Sequence, residues 1–286
     1  MFAKLLLALY RVIHGRLHLP GAGWLIRKLA PHTRGLQSFP LVIPGVGTAV
    51  VDFRDPAVMG LLNFQLGEQD TNRVLFSAVE RFLRPGLVVW DVGANVGIFT
   101  AYFSAPRFGV RSIESFEPNP GVWPLLQSLF AGQARVHLHP FGLGAQDEQL
   151  ELQLGGDSSL ASIKRTSGGG TVRVSIRQGD AAAAALSLPP PDVIKVDVEG
   201  FECEVLAGLR QTIGRHRPVI FFEHLFLSDD QIHQLVPERY HLRLLLDDGR
   251  ITGDLALRAL GHDAVLIPDE RLADLNSPAQ TLPAAV

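Results

Sequence analysis

The chain has 286 residues, enough for one large domain with a smaller appended segment, and its 47% apolar and 19% charged residues exclude an intrinsically disordered protein. Its single cysteine, Cys203, excludes an intrachain disulfide and fits a reducing compartment. The formal net charge of −3 by itself indicates no class of partner, and we expect no nucleic-acid ligand.

The first 51 residues are basic and begin with an apolar helical pattern. They contain six lysine or arginine residues and no acidic residue, so the remaining 20 basic and 29 acidic residues carry a net charge of −9. Six apolar residues at helical spacing predict an amphipathic helix that ends at Gly15, with Leu7 falling among the basic residues. These six residues are Phe2, Leu5, Leu6, Leu9, Val12 and Ile13.

The pattern of this helix leaves several roles open. An apolar stripe with a basic opposite face favours peripheral contact of residues 1–15 with an anionic membrane surface. The run is far shorter than the roughly 20 apolar residues that cross a bilayer. Docking on the protein's own core, or on a second copy in a homodimer, is the alternative. We expect a cytoplasmic protein, held at the inner face of a membrane if the helix binds lipid.

The middle of the chain predicts an α/β fold. A helix at 23–30, a strand pair at 39–53 and a helix at 70–83 come first. From Leu87 onwards strands and helices alternate, which indicates a mostly parallel sheet with helices on both faces. The strands are predicted at 88–92, 110–116, 136–141, 193–198 and 218–222, and the helices at 98–104, 120–131, 201–213 and 229–236.

The remaining segments complete the predicted domain. Extended β segments are expected at 149–154 and 171–178, and Asp180 is expected to cap an alanine-rich helix. Segments 240–246 and 264–267 predict a C-terminal antiparallel hairpin. The predicted organisation is a segment of helices and a hairpin at 1–69, a Rossmann-like domain at 70–268 and a flexible tail at 269–286.

The first predicted strand of the domain ends in Asp91 and continues through a glycine-bearing turn into a helix. This geometry is typical of nucleotide-type cofactor sites, because glycine lets the backbone approach a ligand closely. A dinucleotide fingerprint needs a glycine where this chain has Asn95, so a nicotinamide-dependent oxidoreductase is the less favoured alternative. The spacing Asp91-x-Gly93-x-Asn95-x-Gly97 instead resembles motif I of the class I S-adenosylmethionine (SAM) methyltransferases.

Carboxylates follow four of the five predicted strands. Ligands of parallel sheets bind beyond the carboxyl ends of the strands, so these side chains should share one crevice. Glu117 is expected to accept hydrogen bonds from a ribose diol. Because histidine titrates near neutrality, His224 is a general-base candidate, with a strand-end cap as the alternative. The strand-end residues are Asp91, Glu117, Phe141 with Gly142, Asp197 with Glu199, and Glu223 with His224.

Two further motifs lie in the second half of the chain. Ile194-Lys-Val-Asp-Val-Glu-Gly-Phe-Glu202 precedes Val205-Leu-Ala-Gly208, and Arg217-Pro-Val-Ile-Phe-Phe-Glu223 ends the fifth strand. Together with motif I and the Phe-Glu-Pro sequence at 116–118, they resemble the FkbM-type family of SAM-dependent methyltransferases over residues 83–268. The resemblance implies a Rossmann-like class I methyltransferase fold. It also implies methyl transfer to a hydroxyl of a small molecule, sugar, glycan or polyketide-like acceptor.

The expected site has a cofactor part and an acceptor part. Asp197, Glu199, Glu223 and His224 form the predicted pool for proton removal and acceptor orientation. Their oxygen ligands would suit Mg²⁺, although no spacing in the sequence calls for a metal. A non-catalytic, membrane-associated binding module is a further alternative, which the intact motif I disfavours. The residues expected to hold SAM are Asp91, Gly93, Ala94, Asn95, Gly97, Glu117, Pro118, Phe141 and Gly142.

Overall fold

An eight-stranded sheet forms the centre of the computed structural model, which describes residues 2–13, 22–43, 45–55, 57–65, 73–153 and 170–277. The strands are β1 Phe39–Ile43, β2 Gly47–Val51, β3 Val88–Val92, β4 Ser112–Phe116, β5 Val136–His139, β6 Gly142–Gly144, β7 Glu148–Gln153, β8 Thr171–Gln178, β9 Val193–Val196, β10 Val219–Glu223, β11 Tyr240–Leu245, β12 Ile251–Thr252 and β13 Asp263–Pro268. The helices are α1 Phe2–Ile13, α2 Ala22–Leu29, α3 Arg34–Gln37, α4 Ala57–Gln65, α5 Arg73–Glu80, α6 Ile98–Phe103, α7 Trp123–Phe130, α8 Gly179–Ala185, α9 Glu202–Gly208, α10 Arg210–His216 and α11 Asp229–Leu235.

The order of strands in this sheet is β12-β11-β13-β10-β9-β3-β4-β5. The strands from β5 to β10 pair in parallel, whereas β13 is antiparallel to both β10 and β11. A mostly parallel sheet, with the reversed strands β13 and β12 near one edge, matches the class I methyltransferase fold that the resemblance implies. The predicted fold, including its antiparallel C-terminal pair, is therefore confirmed.

Helices cover both faces of the sheet around β3. Successive side chains of a strand point to opposite faces. Trp90 accordingly packs in a cluster with Val205 of α9, whereas Val89 packs in a different cluster with Phe76 of α5. Every residue of β3 is buried, which is why its sequence is a continuous apolar run up to Asp91.

A second sheet of three strands lies beside the first, in the order β6-β8-β7. β7 and β8 pair antiparallel, as the two predicted extended segments allow, and β6 pairs parallel to β8. A Cβ atom on Gly142 of β6 would lie 3.4 Å from Cγ of Pro118, so this sheet approaches the loop after β4. The small sheet is thereby brought against one end of the central crevice.

The N-terminal helix docks on the body of the protein through a face that overlaps the predicted stripe at Leu6. Leu6, Leu7 and Tyr10 are buried, and the Tyr10 hydroxyl donates to Oδ1 of Asn63 in α4 at 2.6 Å. Leu7, which the sequence pattern placed among the basic residues, is therefore a core residue. Leu5, Leu9 and Val12 from the predicted stripe instead remain 68%, 48% and 45% exposed. None of the described helices is long and apolar enough to cross a bilayer.

Two details around α8 and α10 differ from prediction. The predicted helix at 201–213 is divided at Leu209 into α9 and α10. Asp180 does not cap α8, because its carboxylate accepts the backbone N–H groups of Gln211 and Thr212 at 2.9 and 2.8 Å in the first turn of α10. The Gln178 side chain caps α8 by accepting the N–H of Ala181 at 2.6 Å. Side-chain oxygens often accept the free N–H groups in the first turn of a helix. Tertiary packing decides here that the Asp180 carboxylate caps α10 and not α8.

The start of the predicted loose tail is ordered. Residues Asp269–Asn276 form a 3₁₀ helix, which two arginines tie to the end of α5. Arg271 donates to the carbonyl of Phe82 at 2.9 Å, and Arg81 donates to the carbonyl of Leu275 at 2.5 Å. Residues 278–286, the rest of the predicted tail, lie outside the described residues.

Candidate active site

The candidate site lies where the strand order of the sheet reverses. The chain runs outward from β3 through β4 to β5 and returns to β9 on the other side of β3. The helices that follow β3 and β9 therefore lie on opposite faces of the sheet, and a crevice forms beyond the carboxyl ends of these strands. The motif I turn after β3 and the Asp197–Glu199 segment after β9 meet in this crevice.

Gly93 joins the two sides of the crevice. Its φ is +86°, and a Cβ atom built on it would lie 1.9 Å from the backbone oxygen of Asp197. On the other side, the N–H groups of Gly93 and Ala94 donate to the carbonyl of Phe116 at 2.9 and 3.0 Å. The turn is thus fixed between β4 and β9, and its path requires a residue without a side chain.

Glu117 holds the motif I turn in shape. Its two carboxylate oxygens accept the backbone N–H groups of Asn95 and Asn119 at 2.8 and 2.7 Å. Asn95 has a φ of +49°, a left-handed conformation that asparagine tolerates better than most residues. Burial raises the pKa of Glu117 to about 7, although the two N–H donors favour its charged form. Each oxygen keeps a second lone pair, which a hydroxyl could use.

Asp91 presents an unsatisfied oxygen beneath the same turn. The residue is fully buried, and the Thr100 hydroxyl donates to its Oδ2 at 2.6 Å. Its Oδ1 has no hydrogen-bond donor among the described residues. Burial raises the pKa of Asp91, partly offset by the positive charge of Lys195. A buried acceptor without a partner fits a ligand that brings its own N–H or O–H donor.

The other residues expected at the cofactor part lie at its edge or below it. Gly97, with a φ of +87°, makes room for α7, because a Cβ atom there would lie 2.9 Å from both Leu126 and Phe130. Pro118 continues from Glu117 and lies next to Gly142, as described above. The ring of Phe141 is buried against Phe116, at 5.8 Å between ring centroids. Gly97 and Phe141 thus contribute to the packing of α7 and β4 around the motif I turn.

The acceptor part contains a lysine that pairs with one of its carboxylates. Nζ of Lys195 donates to Oδ2 of Asp197 at 2.7 Å and lies 4.1 Å from the ring centroid of Phe99. Burial alone would lower the pKa of Lys195, but the nearby carboxylates of Asp197 and Asp91 raise it overall. Lys195 is therefore a fixed positive charge that lies between the cofactor and acceptor parts.

Three carboxylates converge beside this pair. Asp197, Glu199 and Glu223 each offer one oxygen, and these oxygens lie within 4.8 Å of one another. Oε2 of Glu223 is buried without a donor among the described residues. Burial raises the pKa of Glu223 to about 9, and the negative charges of Asp197 and Glu199 add to the shift. The arrangement can hold a proton or a cation, and Mg²⁺ would find three oxygen ligands there.

His224 was predicted as a general base because histidine ordinarily titrates near neutrality, but its surroundings here are different. Its side chain is 1% exposed, and neither ring nitrogen has a partner among the described residues. Burial, together with the charge of Arg258, lowers its pKa to about 4, so it does not titrate near neutrality. His224 is thus buried and neutral near pH 7, and we do not assign it the proton.

Two further carboxylates at the site were not among the predicted site residues. Asp263 begins β13 and lies opposite Glu223 in the antiparallel pair, and burial raises its pKa to about 7. The position of Asp263 could have been inferred from the sequence. The first residue of a reversed strand lies at the same edge of the sheet as the last residues of the neighbouring strands. Glu202 is buried and accepts the N–H groups of Val198 and Gly200, both at 3.2 Å, so it braces the loop that carries Glu199.

Comparisons with known proteins identify relatives for most of this region. The family model of the methyltransferase FkbM domain matches residues 91–249. The hexuronic acid methyltransferase AglP of Haloferax volcanii is 28% identical over 175 residues, which cover 60% of this chain and 69% of that protein. Methyltransferase 1 of Beauveria bassiana is 29% identical over 142 residues, which cover 42% of this chain and 57% of that protein. A crystal structure of the methyltransferase FkbM from Methylobacillus flagellatus has a TM-score of 0.46 at 18% identity. That match covers 73% of this chain and 53% of the other.

Proposed function

Because the chain belongs to the FkbM methyltransferase family, as its motifs predicted, we propose that it transfers a methyl group from SAM to a hydroxyl oxygen of a sugar, glycan or similar small acceptor. The proposal is supported mainly by the way the cofactor part and the acceptor part of the site meet at Gly93. On one side lie Asp91, with its unpartnered oxygen, and Glu117. On the other lie the carboxylates around Glu223.

The cofactor part suits the polar groups of SAM, which are an amino acid and a ribose diol. Asp91 offers the buried oxygen to a donor, and Glu117 offers its remaining lone pairs to the hydroxyls. When bound, SAM supplies a methyl group that its sulfonium charge has already activated. The chain then has to hold the acceptor oxygen in line and remove its proton.

The acceptor part supplies those two functions in the proposal. Asp197, fixed by Lys195 at 2.7 Å, orients the acceptor hydroxyl as a hydrogen-bond acceptor. Glu223 takes the proton, since a raised pKa makes its carboxylate a stronger base than an ordinary glutamate. Glu199 lies within reach of both, and a divalent cation held by the three carboxylates would polarise the same hydroxyl.

Calorimetry with SAM and NADH tests the cofactor assignment. We expect SAM to bind in the micromolar range and NADH to give no saturable heat. Asp91→Asn should weaken SAM binding roughly 10- to 100-fold, because a hydrogen bond to a buried charged group contributes about 1.5–3 kcal/mol. The matched control is Asp180→Asn, which alters a carboxylate engaged with α10 instead. Tight NADH binding without a response to SAM would contradict the proposal.

We also infer that α1 contacts an anionic membrane surface. Its exposed ridge of Leu5, Leu9 and Val12 lies in a 51-residue segment without acidic residues. Buried apolar area and attraction of basic residues to anionic lipid are the two contributions that hold such helices at an interface. A lipid-linked acceptor would then be concentrated on the same surface as the enzyme.

Co-sedimentation with vesicles tests this inference. Full-length protein should pellet with vesicles of phosphatidylglycerol and phosphatidylcholine at low salt, and less at high salt. Replacing Leu5, Leu9 and Val12 by serine should reduce partitioning at least about tenfold. Leu186→Ser, another exposed apolar position, should change nothing. If no variant pellets and the triple variant instead loses a dimer in sedimentation analysis, the ridge binds a second copy.

A further inference from the structure

A row of three polar side chains crosses the sheet beneath α6. Asp91 of β3 is in register with Ser115 of β4 on one side and with Lys195 of β9 on the other. Residues in register on neighbouring parallel strands point to the same face of the sheet, so these side chains form one layer. They are only 0%, 1% and 3% exposed, and the residues two positions before them on each strand belong to an apolar core cluster.

The helix that covers this row adds one hydroxyl to it. Thr100 of α6 is fully buried, and its hydroxyl donates to Oδ2 of Asp91 at 2.6 Å. The hydroxyl oxygens of Thr100 and Ser115 lie 2.7 Å apart. An ionised carboxylate can only accept hydrogen bonds, and a threonine hydroxyl carries a single hydrogen. Because Thr100 donates that hydrogen to Asp91, Ser115 is the donor to Thr100.

The two hydroxyls in sequence fix one oxygen of Asp91. A hydroxyl that itself accepts a hydrogen bond becomes a stronger donor, because successive hydrogen bonds polarise one another. Without the bond from Thr100, the carboxylate could rotate about χ2, a torsion that is broadly distributed for aspartate. Since both oxygens belong to one rigid plane, holding Oδ2 beneath α6 also restricts the direction in which Oδ1 points.

The way in which this network is satisfied points to a ligand. Both hydroxyls serve Oδ2 of Asp91, whereas Oδ1 has no donor within the part of the chain that the structure describes. A buried polar network that is only partly satisfied is destabilising, so a network that served stability alone would supply donors to both oxygens. The uneven pattern is expected when the second donor arrives with a bound molecule.

We propose that Thr100 and Ser115 are positioning residues of the cofactor part, which act through Asp91 by directing its Oδ1 at a donor group of the bound cofactor. This inference rests on the proposed binding of SAM. It adds two residues that belong neither to motif I nor to the strand-end carboxylates. Neither side chain is assigned a contact with SAM, since both are buried below the surface of the protein.

Calorimetry of SAM binding to hydroxyl variants tests this assignment. Thr100→Val removes the donor to Oδ2 with little change of shape, and SAM affinity should fall about tenfold. Thr100→Ser keeps a hydroxyl at this position and should bind SAM within about threefold of the wild type. Ser115→Ala leaves Thr100 able to donate and should weaken binding only about twofold. The matched control is Thr212→Val, which removes a hydroxyl that donates to Asp180, also at 2.6 Å, and should leave SAM affinity unchanged.

Combination with Asp91→Asn separates positioning from a purely structural role. If Thr100 acts through the carboxylate, adding Thr100→Val to Asp91→Asn should weaken binding by less than about twofold more. Circular dichroism checks folding, and Thr100→Ala replaces the valine variant if that variant does not fold. Wild-type SAM affinity in the Thr100 variant, or the same tenfold loss in both backgrounds, would overturn the assignment and leave the proposed methyl transfer intact. Folded wild-type protein that does not bind SAM would contradict the proposed function and this inference together.

Discussion

Replacing Gly93 by valine should weaken SAM binding about 100-fold or more, while the protein still folds. A Cβ atom at this position would lie 1.9 Å from the backbone oxygen of Asp197, and backbone cannot give way as a flexible side chain can. The φ of +86° adds strain for a β-branched residue. Overpacking of this kind costs about 1–3 kcal/mol or more, and here it displaces the turn that forms the cofactor part.

A second glycine separates the clash from the strain. Gly249 also has a φ of +86°, but nothing lies within 4 Å of a Cβ atom built there. Gly249→Val should therefore lower the melting temperature slightly and leave SAM affinity unchanged. Calorimetry of both variants, with circular dichroism to confirm folding, gives the comparison. Equal SAM affinity in the two variants would show that the close approach to Asp197 has no role in cofactor binding.

Replacing Glu223 by glutamine should lower kcat by roughly 10²–10⁴, the usual contribution of a positioned base. SAM affinity should change by less than about threefold, because Glu223 lies on the acceptor side of Gly93. The pKa of about 9 predicts that the activity of the wild-type enzyme rises with pH from neutrality toward 9. The variant should lack this rise. Retention of the wild-type pH profile by Glu223→Gln would exclude Glu223 as the base.

Asp263→Asn provides the matched control for this profile. The charge of Asp263 is among the causes that raise the pKa of Glu223, so its removal should shift the rise in activity to lower pH without abolishing it. Stability supplies a second measurement. A carboxyl group whose folded pKa lies above its ordinary value of 4.5 contributes stability that is fully present below about pH 4.5. This stability is lost as the pH rises from about 4.5 to about 9. Glu223→Gln should therefore lessen the decline in unfolding free energy over that range.

The features that sequence predicted well are those set by neighbouring residues. The motif I turn, the strand-end carboxylates and the reversed C-terminal pair were all predicted, because each depends on local periodicity and turn chemistry. The ion pair of Lys195 and Asp197 also depends on local spacing, since two residues at alternate positions of an extended segment share a face. α4 was missed because its sequence is apolar nearly throughout and shows no helical period.

The features that sequence could not supply depend on burial and on distant partners. The pKa of His224 is lowered by burial, which no pattern of neighbours reveals. Asp180 caps α10 across 31 residues, although its position suggested a cap for the adjacent α8. The docked face of α1 includes Leu7 because tertiary packing selected Leu6, Leu7 and Tyr10 from a helix with apolar residues on several sides.

The excess of carboxylates in the crevice also bears on how a catalytic cycle would end. The sulfonium of SAM is a cation, so the carboxylates of Asp91 and Asp197 would attract it, with an energy that grows in a poorly hydrated site. Methyl transfer removes that positive charge, and the thioether product keeps the same shape without the attraction. The affinity of the site for the thioether product would then be lower than its affinity for SAM. Product departure and low product inhibition would thus follow from the carboxylates that line the crevice.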